Sequence, residues 1–568
     1  MGKIKNAIFT IILAALVIAF AYFAYKGQQL NIEGRPLSTD IIFLPYYAAR
    51  SFARMMAAYI ISLIFSIVYG YKAATDSRAE RILIPVLDIL QSVPILGFFP
   101  AAVFFFVSLF KGHTIGVELA SIFLIFTSQA WNMAFGYYES LTTIPKDIRE
   151  ASEAFKLRGW LRFKHLYLPS GINKLVYNSI LSWAGGWYFL IAAEIISIGP
   201  IEYSLPGLGS FMIKSMEKGE IFHAAAGLVM LLAIIAFMNI FLWQPLTLWA
   251  DIYKYEYSNV NMKEKRGIGY WLWWQAPLLP RIRRWVSEKG FYIMETAGSF
   301  VSGKMKNAFN RFAHIAKISN NVIAWVFRIL LLYAIGRGVV ALITVFSMPL
   351  DPVLFEIPRA LLCSFGRLTA AYIISLLWTL PAAIWIGHNE RVEAVLMPLF
   401  QILASIPATA LFPVMVFTLT KLTGGMELAS ILLVLTGMQW YLLFNLIAGV
   451  KSIPGDLKEA AKIFNLNRIL YWRRVALPAV MPSLITGSVT AWGGGWNALI
   501  VSEYVAYAGR IYKAFGIGSM LDSATYGTGN YQMIWASLIA MMITIVAINR
   551  FFWGKLYKIA SYRYKIES

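Results

Sequence analysis

The sequence predicts an all-α integral membrane protein made of two tandem six-helix halves. Three observations carry that prediction. The chain is 59% hydrophobic and only 14% charged over 568 residues, whereas ordinary soluble domains hold roughly a quarter charged residues. Twelve apolar stretches recur along it, each about the 20 residues that a bilayer core requires. The last six of these repeat the first six, motif by motif, which is the mark of an internal duplication.

In chain order, the first six spans are expected near 6–25, 52–71, 82–110, 117–138, 172–198 and 221–246. Lys3 and Lys5 precede the first stretch, but no small-residue cleavage site follows it. It therefore reads as a retained span rather than a signal peptide. From Asp251 to Asn320 the chain turns polar and basic, with KEKR at 263–266 and RIRR at 281–284. This stretch is read either as amphipathic helices on the inner leaflet or as a simple tether. Six further spans are expected near 322–346, 365–386, 395–420, 427–449, 480–508 and 532–553. The expected domains are 1–250, the 251–320 linker, and 321–568.

The duplication is direct. SFARMMAAYIISL at 51–63 matches SFGRLTAAYIISL at 364–376, and ELAS at 118–121 matches ELAS at 427–430. Pro85, Pro94 and Pro100 match Pro398, Pro407 and Pro413. Trp131 matches Trp440, SWAGGW at 182–187 matches AWGGGW at 491–496, and Glu194 matches Glu503. Gly207-Leu208-Gly209 matches Gly516-Ile517-Gly518. An even number of spans per copy makes both copies enter the membrane in the same direction. The repeat is therefore parallel, with a pseudo-twofold axis along the membrane normal.

The formal net charge of +21 fits cytoplasmic loops that collect Lys and Arg better than a nucleic-acid interface, since no arginine-rich, aromatic-interleaved module is present. The basic stretches are Lys146 to Lys174, Lys254 to Lys317, Lys451 to Arg474 and Arg550 to Lys565. The loops near 199–220 and 509–531 are poor in positive residues. Both termini are thus expected in the cytoplasm. Cys363 is the only cysteine and the five histidines are scattered, so no disulfide framework and no Cys- or His-based metal site is expected.

One charged segment stands out because it returns once. PKDIREASEAFKLRGWLRFKHLYLP at 145–169 is matched without a gap by PGDLKEAAKIFNLNRILYWRRVALP at 454–478. Each opens on a proline at a helix start, with carboxylates in the early turns where they suit the positive end of the helix dipole. Capping of that kind is one reading of Glu150 and Glu459. The other is docking, because a polar helix repeated between apolar blocks is a poor lipid partner and suits a protein outside the bilayer.

Glu150-Ala151-Ser152 and Glu459-Ala460-Ala461, each followed by a Leu-Pro pair, resemble the EAA loop of binding-protein-dependent ABC importer permeases. The SWAGGW and AWGGGW stretches resemble the nitrate/sulfonate/taurine-type branch. The resemblance covers most of both halves and excludes the linker. It implies two ABC importer-type permease domains and a coupling helix in each half, formed by Glu150, Ala151, Ser152 and Ala154 and by Glu459, Ala460 and Ala461. It further implies two copies of a nucleotide-binding subunit, an extracytoplasmic solute-binding protein and a place in the plasma membrane. No GxxxxGK[ST] sequence is present, so no cofactor is expected on this chain and ATP and Mg belong to the partner ATPase. One departure bears on the loop. Where the family has Gly six residues after the Glu, Lys156 and Asn465 stand here. Lys tolerates a left-handed turn less well than Asn, so the first turn is expected to differ or to shift to Gly159.

Glu194 and Glu503 lie toward the far ends of their spans and read either as pathway or gate positions or as buried hydrogen-bonding groups. Trp187 and Trp496 stand beside Gly185-Gly186 and Gly494-Gly495, where close helix packing competes with a pathway role. Asp88, Gln91, Gln129, Asn132, Gln401, Gln439 and Asn445 read as interhelical hydrogen-bonding residues. A secondary transporter driven by an ion gradient also uses parallel repeats, but two EAA-type loops and no mid-span carboxylate pair argue against it. Nitrate, sulfonates, taurine, bicarbonate and small heterocycles are all handled by proteins similar to this one.

Overall fold

The computed structural model describes residues 37–250 and 349–556 apart from short gaps, chiefly within 93–113 and 405–423, with scattered positions at 336–347 and 559. The expected span at 6–25, most of that at 322–346, and the 251–320 linker lie outside the described residues. The chain divides into two compact units, Met1–Ala19 with Met262–Pro352, and Phe20–Asn261 with Val353–Ser568. Of the first unit, a helical stretch at 343–346 is described. The second unit holds the repeated elements from Leu44 and Ile357 onward.

Within that second unit each half repeats one order of elements. In the first half, α1 (Leu44–Thr75) leads to α2 (Ser77–Ser92), α3 (Thr114–Thr142), α4 (Lys146–Ala154) and α5 (Leu168–Glu194). A hairpin of β1 (Ile195–Ile198) and β2 (Ile201–Ser204) comes next, then α6 (Leu208–Glu217) and α7 (Ile221–Met238). The second half gives α8 (Ile357–Gly387), α9 (Glu390–Ala404), α10 (Gly425–Lys451), α11 (Gly455–Ile463) and α12 (Leu477–Glu503). It continues with β3 (Tyr504–Tyr507), β4 (Arg510–Lys513), α13 (Ile517–Asp522) and α14 (Tyr531–Ile548). Seven helices among the described residues are long and apolar enough to cross a membrane.

Local chemistry sets the boundaries. Pro45 and Pro358 sit in the first turns of α1 and α8, where their missing N–H is no loss. Asp76 separates α1 from α2. It takes a hydrogen bond from Lys72 at 2.7 Å and accepts the backbone N–H of Arg78 and Ala79. Spans expected to run to 198 and 508 stop instead at Glu194 and Glu503, and the residues beyond form antiparallel hairpins. Isoleucine-rich IISI beside Gly199-Pro200 favours strand and turn over continued helix.

In each half, α3 or α10 is the middle of a three-helix slab, flanked by α1 and α5 or by α8 and α12. Small residues allow the close approach. Ser62 and Ser66 on α1 donate to the carbonyls of Phe126 and Ala130 on α3, the kind of interhelical bond that ties membrane helices together. Each half has its own apolar core. Ile60, Ile61, Ile64 and Val68 on α1 point outward, as lipid-facing residues do.

Besides the shorter stretch between Pro413 and Glu427 in the second copy, the copies differ by an insertion after the hairpin. From Gly209 to Gly219 the first copy spans ten steps; from Gly518 to Gly529 the second spans eleven. The second copy absorbs the extra residue in a π-turn at Ser523–Thr528, where the first has regular helix.

Candidate functional site

The two EAA-type segments form exposed helices at the loop end of each half. α5 and α12, 27 residues long, place the hairpins roughly 40 Å away at the other end. On α4, Ile148 and Ser152 lie four residues apart and face inward, next to a cluster of Tyr137, Leu141, Ile144 and Leu166. The Arg149 guanidinium donates to the carbonyls of Leu141 at 2.8 Å and Thr142 at 3.2 Å. It thereby caps the last turn of α3 and fixes α4 against it. Glu150, Ala151 and Ala154 face outward. On α11, Glu459 is exposed, Ala460 half-buried and Ala461 buried. The third motif residues, Ser152 and Ala461, are thus covered by their own chain and do not belong to the exposed face with which the motif had grouped them.

Both helices stop in the same way. Lys156 and Asn465 take positive φ, 53° and 47°. Leu157 N–H reaches the Ser152 carbonyl at 3.0 Å and Lys156 N–H that of Glu153 at 2.9 Å, the paired bonds of a Schellman turn. Leu466 N–H repeats the first of these with Ala461 at 3.1 Å. The turn expected to differ in the first copy, or to shift to Gly159, stays at Lys156. Gly159 adds a second left-handed position. The hydrogen bonds offset the roughly 1–2 kcal/mol that a β-carbon costs there. This turn carries a feature that motif reading had passed over. Phe155 and Phe464 occupy matching places and are 79% and 76% exposed, and Ile463 is 80% exposed.

At the hairpin end of each half lies a buried clamp. Arg54 on α1 bonds Glu118 on α3 through Nε at 2.6 Å and Nη2 at 2.9 Å. Its Nη1 donates to Glu194 at 2.8 Å, and Nη2 also donates to the Pro206 carbonyl at 2.8 Å. Glu194 further accepts from Ser51 Oγ at 2.5 Å and from the Gly209 N–H at 2.6 Å. The carboxylate therefore neutralises an arginine and caps the N-terminus of α6 at once. The second half repeats the set. Arg367 bonds Glu427, Glu503 and the Phe515 carbonyl. Glu503 accepts from Ser364 at 2.6 Å and from Gly518 N–H at 2.8 Å. Gly207 and Gly516 press against these carboxylates so closely that a β-carbon would stand on them. In the first half Arg50 also pairs with Glu118; its counterpart is Cys363. The Glu427 side chain is accordingly 53% exposed against 21% for Glu118.

Glu194 and Glu503 are thus fully buried within their own halves. Trp187 and Trp496 are buried too, in the core of each half; Trp187 meets Trp183 edge-on at 6.2 Å. Gly186 lies on Gln129 and Met55, and Gly495 on Met438 and Leu368, so these glycines serve close helix packing. The residues that reach between halves are others. Asn497 accepts the Ile95 N–H at 2.5 Å, and Tyr188 lies beside Gly437. Among the described residues no cluster of His, Cys, Asp or Glu is arranged to hold a metal.

The chain is 26% identical over 180 residues to the nitrate import permease NrtB of Leptolyngbya laminosa, covering 32% of this chain and 62% of that protein. It is 29% identical over 144 residues to the bicarbonate transport system permease CmpB of Synechococcus elongatus, covering 25% and 50%. It is 27% identical over 191 residues to the taurine transport system permease TauC of Escherichia coli, covering 34% and 64%. The matches thus span between half and just under two thirds of these relatives' own lengths. The model of the binding-protein-dependent transport system inner membrane component matches twice, at residues 62–243 and 379–553. Those two stretches take in α4 and the Glu194 end of α5 in the first half, α11 and the Glu503 end of α12 in the second, and on that double match the chain belongs to the family of binding-protein-dependent transport system inner membrane components.

Proposed function

We propose that this chain is the complete membrane pathway of an ABC importer, with domains 1–250 and 321–568 as its two permease halves and 251–320 joining them. The observation that carries the reading is the pair of exposed helices α4 and α11. Each shows an outward Glu and an outward Phe beside the same left-handed turn. Exposed aromatic residues on a polar helix serve as anchors for a partner protein. Two such surfaces suit two nucleotide-binding subunits, which supply the ATP and Mg chemistry. The positive charge of the loops supports a cytoplasmic position for α4, α11 and both termini in a chain that spans the plasma membrane. The hairpin end then meets a solute-binding protein outside. Small anions of the kind named for the relatives, nitrate, bicarbonate or taurine, are the proposed cargo.

Closure of the ATPase pair moves α4 and α11, and the clamps carry the hairpins with their helices as rigid bodies. Such switching requires contacts that differ between two states. The test is an assembly of this chain with its ATPase and binding protein in proteoliposomes, assayed for nitrate, bicarbonate and taurine uptake. Glu150→Lys with Glu459→Lys is expected to abolish ATP-driven uptake while the chain's own Tm holds. Normal uptake by that variant, or uptake by the wild-type chain with no ATPase present, rejects the reading.

A further inference from the structure

Two tyrosines cross between the halves part-way along the bundle, in opposite directions. Tyr188 on α5 reaches α10 of the second half, where its hydroxyl stands 3.2 Å from the place a β-carbon on Gly437 would take. Tyr441, one turn further along α10, reaches back to α5, where its hydroxyl stands 3.9 Å from the β-carbon place of Gly185. The ring of Tyr441 also rests on its own half. A β-carbon on Gly494 of α12 would stand 2.7 Å from its Cε2. Residues three or four apart on a helix share a face, so each tyrosine lies beside the glycine that meets the other.

Gly185 and Gly494 are the same position in the two copies. A pseudo-twofold axis runs midway between such a pair, so a ring that meets both lies close to the axis. Only one ring fits there. The counterpart of Tyr441 is Asn132 and that of Tyr188 is Asn497, and Asn497 turns instead to the Ile95 N–H. A homodimer would carry the same side chain on both sides of its axis, whereas the fused chain sets one large residue against one small. The level along the bundle matters too. Gly185 lies about 13 Å along α5 from Glu194 and about 25 Å from Leu168. Toward the loop end the same helix stripes open: Tyr177 is 41% exposed, and Thr486 is exposed too. Asn497, one turn nearer the hairpins than Gly494, is buried.

We infer that Tyr441 is a one-sided plug: its ring, held by α10 and α12, closes the route between the halves by standing against Gly185. This rests on the reading that the two halves share one pathway. The gap at Gly185 would be filled by a methyl group at ordinary contact distance, so it passes no solute as large as nitrate. The ring's contact within its own half is tight and its contact with the other half is loose. When the halves rock apart, the ring stays with the second half and parts from the first.

The test uses the full chain alone in proteoliposomes, in a Cys363→Ser background so that a single thiol can be addressed. Nitrate, bicarbonate and taurine are offered in turn. Tyr441→Cys is expected to pass at least one of them down its gradient about tenfold or more faster than the chain with Tyr441 intact. Coupling benzyl methanethiosulfonate to the new thiol restores a ring and is expected to reseal the chain, whereas the methyl reagent is not. A Tyr441→Cys chain with unaltered Tm that stays tight to all three solutes overturns the plug. So does a leak that both reagents change alike. Should Tyr441→Cys fail to fold, Tyr441→Leu keeps apolar bulk without the reach to Gly185; it is expected to leak, and a tight Leu variant overturns the plug. ATP-driven uptake by the wild-type chain with its ATPase and binding protein is measured alongside. Uptake there with no leak in the variants sinks the plug and leaves the importer standing. No uptake there, with a leak that the benzyl group reseals, sinks the importer and leaves a plugged pathway.

Discussion

A carboxylate inside a helix bundle is tolerated only when something meets its charge. Glu194 and Glu503 meet an arginine, a serine hydroxyl and a helix N-terminus each, which makes them structural pins at the hairpin end. Removing one partner of a buried ion pair leaves the other charge uncompensated, at about 3–5 kcal/mol. Glu503→Ala is therefore expected to lower the thermal stability of the second half strongly. Gly207→Ala should do the same in the first, since a β-carbon would displace Glu194. Thermal unfolding of the full chain in nanodiscs measures both, and a Tm within a degree of wild type contradicts the clamp. Apart from Arg50, the clamp side chains have counterparts in the other copy: Ser51 with Ser364, Arg54 with Arg367, Glu118 with Glu427, Glu194 with Glu503. Charged residues duplicated inside apolar spans were the available signal. Their convergence was not legible, because it joins residues as far apart as 51 and 209 through three helices and a hairpin.

At the scale of single elements, α4 and α11 were legible as helices from proline, early carboxylates and the matched Leu-Pro pair. Which side faces out was not. Inward Ile148 and Ser152 are set by packing on α3, and the left-handed turn at Lys156 by hydrogen bonds that outweigh its side-chain preference. The exposed Phe155 and Phe464 are consequences of that turn. Truncating an interface anchor costs about 2 kcal/mol or more, roughly a thirtyfold loss of affinity. Phe155→Ala with Phe464→Ala is accordingly expected to weaken ATPase-subunit binding at least that much in a titration of the purified chain. Its Tm should stay unchanged, because both rings are already solvated. A drop in Tm with unaltered binding would instead make the rings part of the fold.

For the whole molecule, fusion has let the copies drift apart while keeping their frame. Gln129, with neither amide atom hydrogen-bonded, lies on Gly186, where the second copy lays Met438 on Gly495. A π-turn takes up an insertion in one copy, and α10 carries Tyr441 where α3 carries Asn132. The proposed single pathway, shared by two unlike halves, makes a specific demand. Impairing one arm alone, by Glu150→Lys with Phe155→Ala, is expected to abolish initial uptake rather than halve it. A half-maximal rate would mean two independent pores. The amino-acid sequence by itself determined the membrane class, the parallel duplication and the two charged segments that return once in each copy. Apolar length, repeated motifs and loop charge are local properties that survive in one dimension. Tertiary structure alone decided which carboxylates are pinned, which motif residues face outward and where the halves meet. Those depend on which side chains from distant helices arrive at the same point, and on the desolvation cost each would bear without the other.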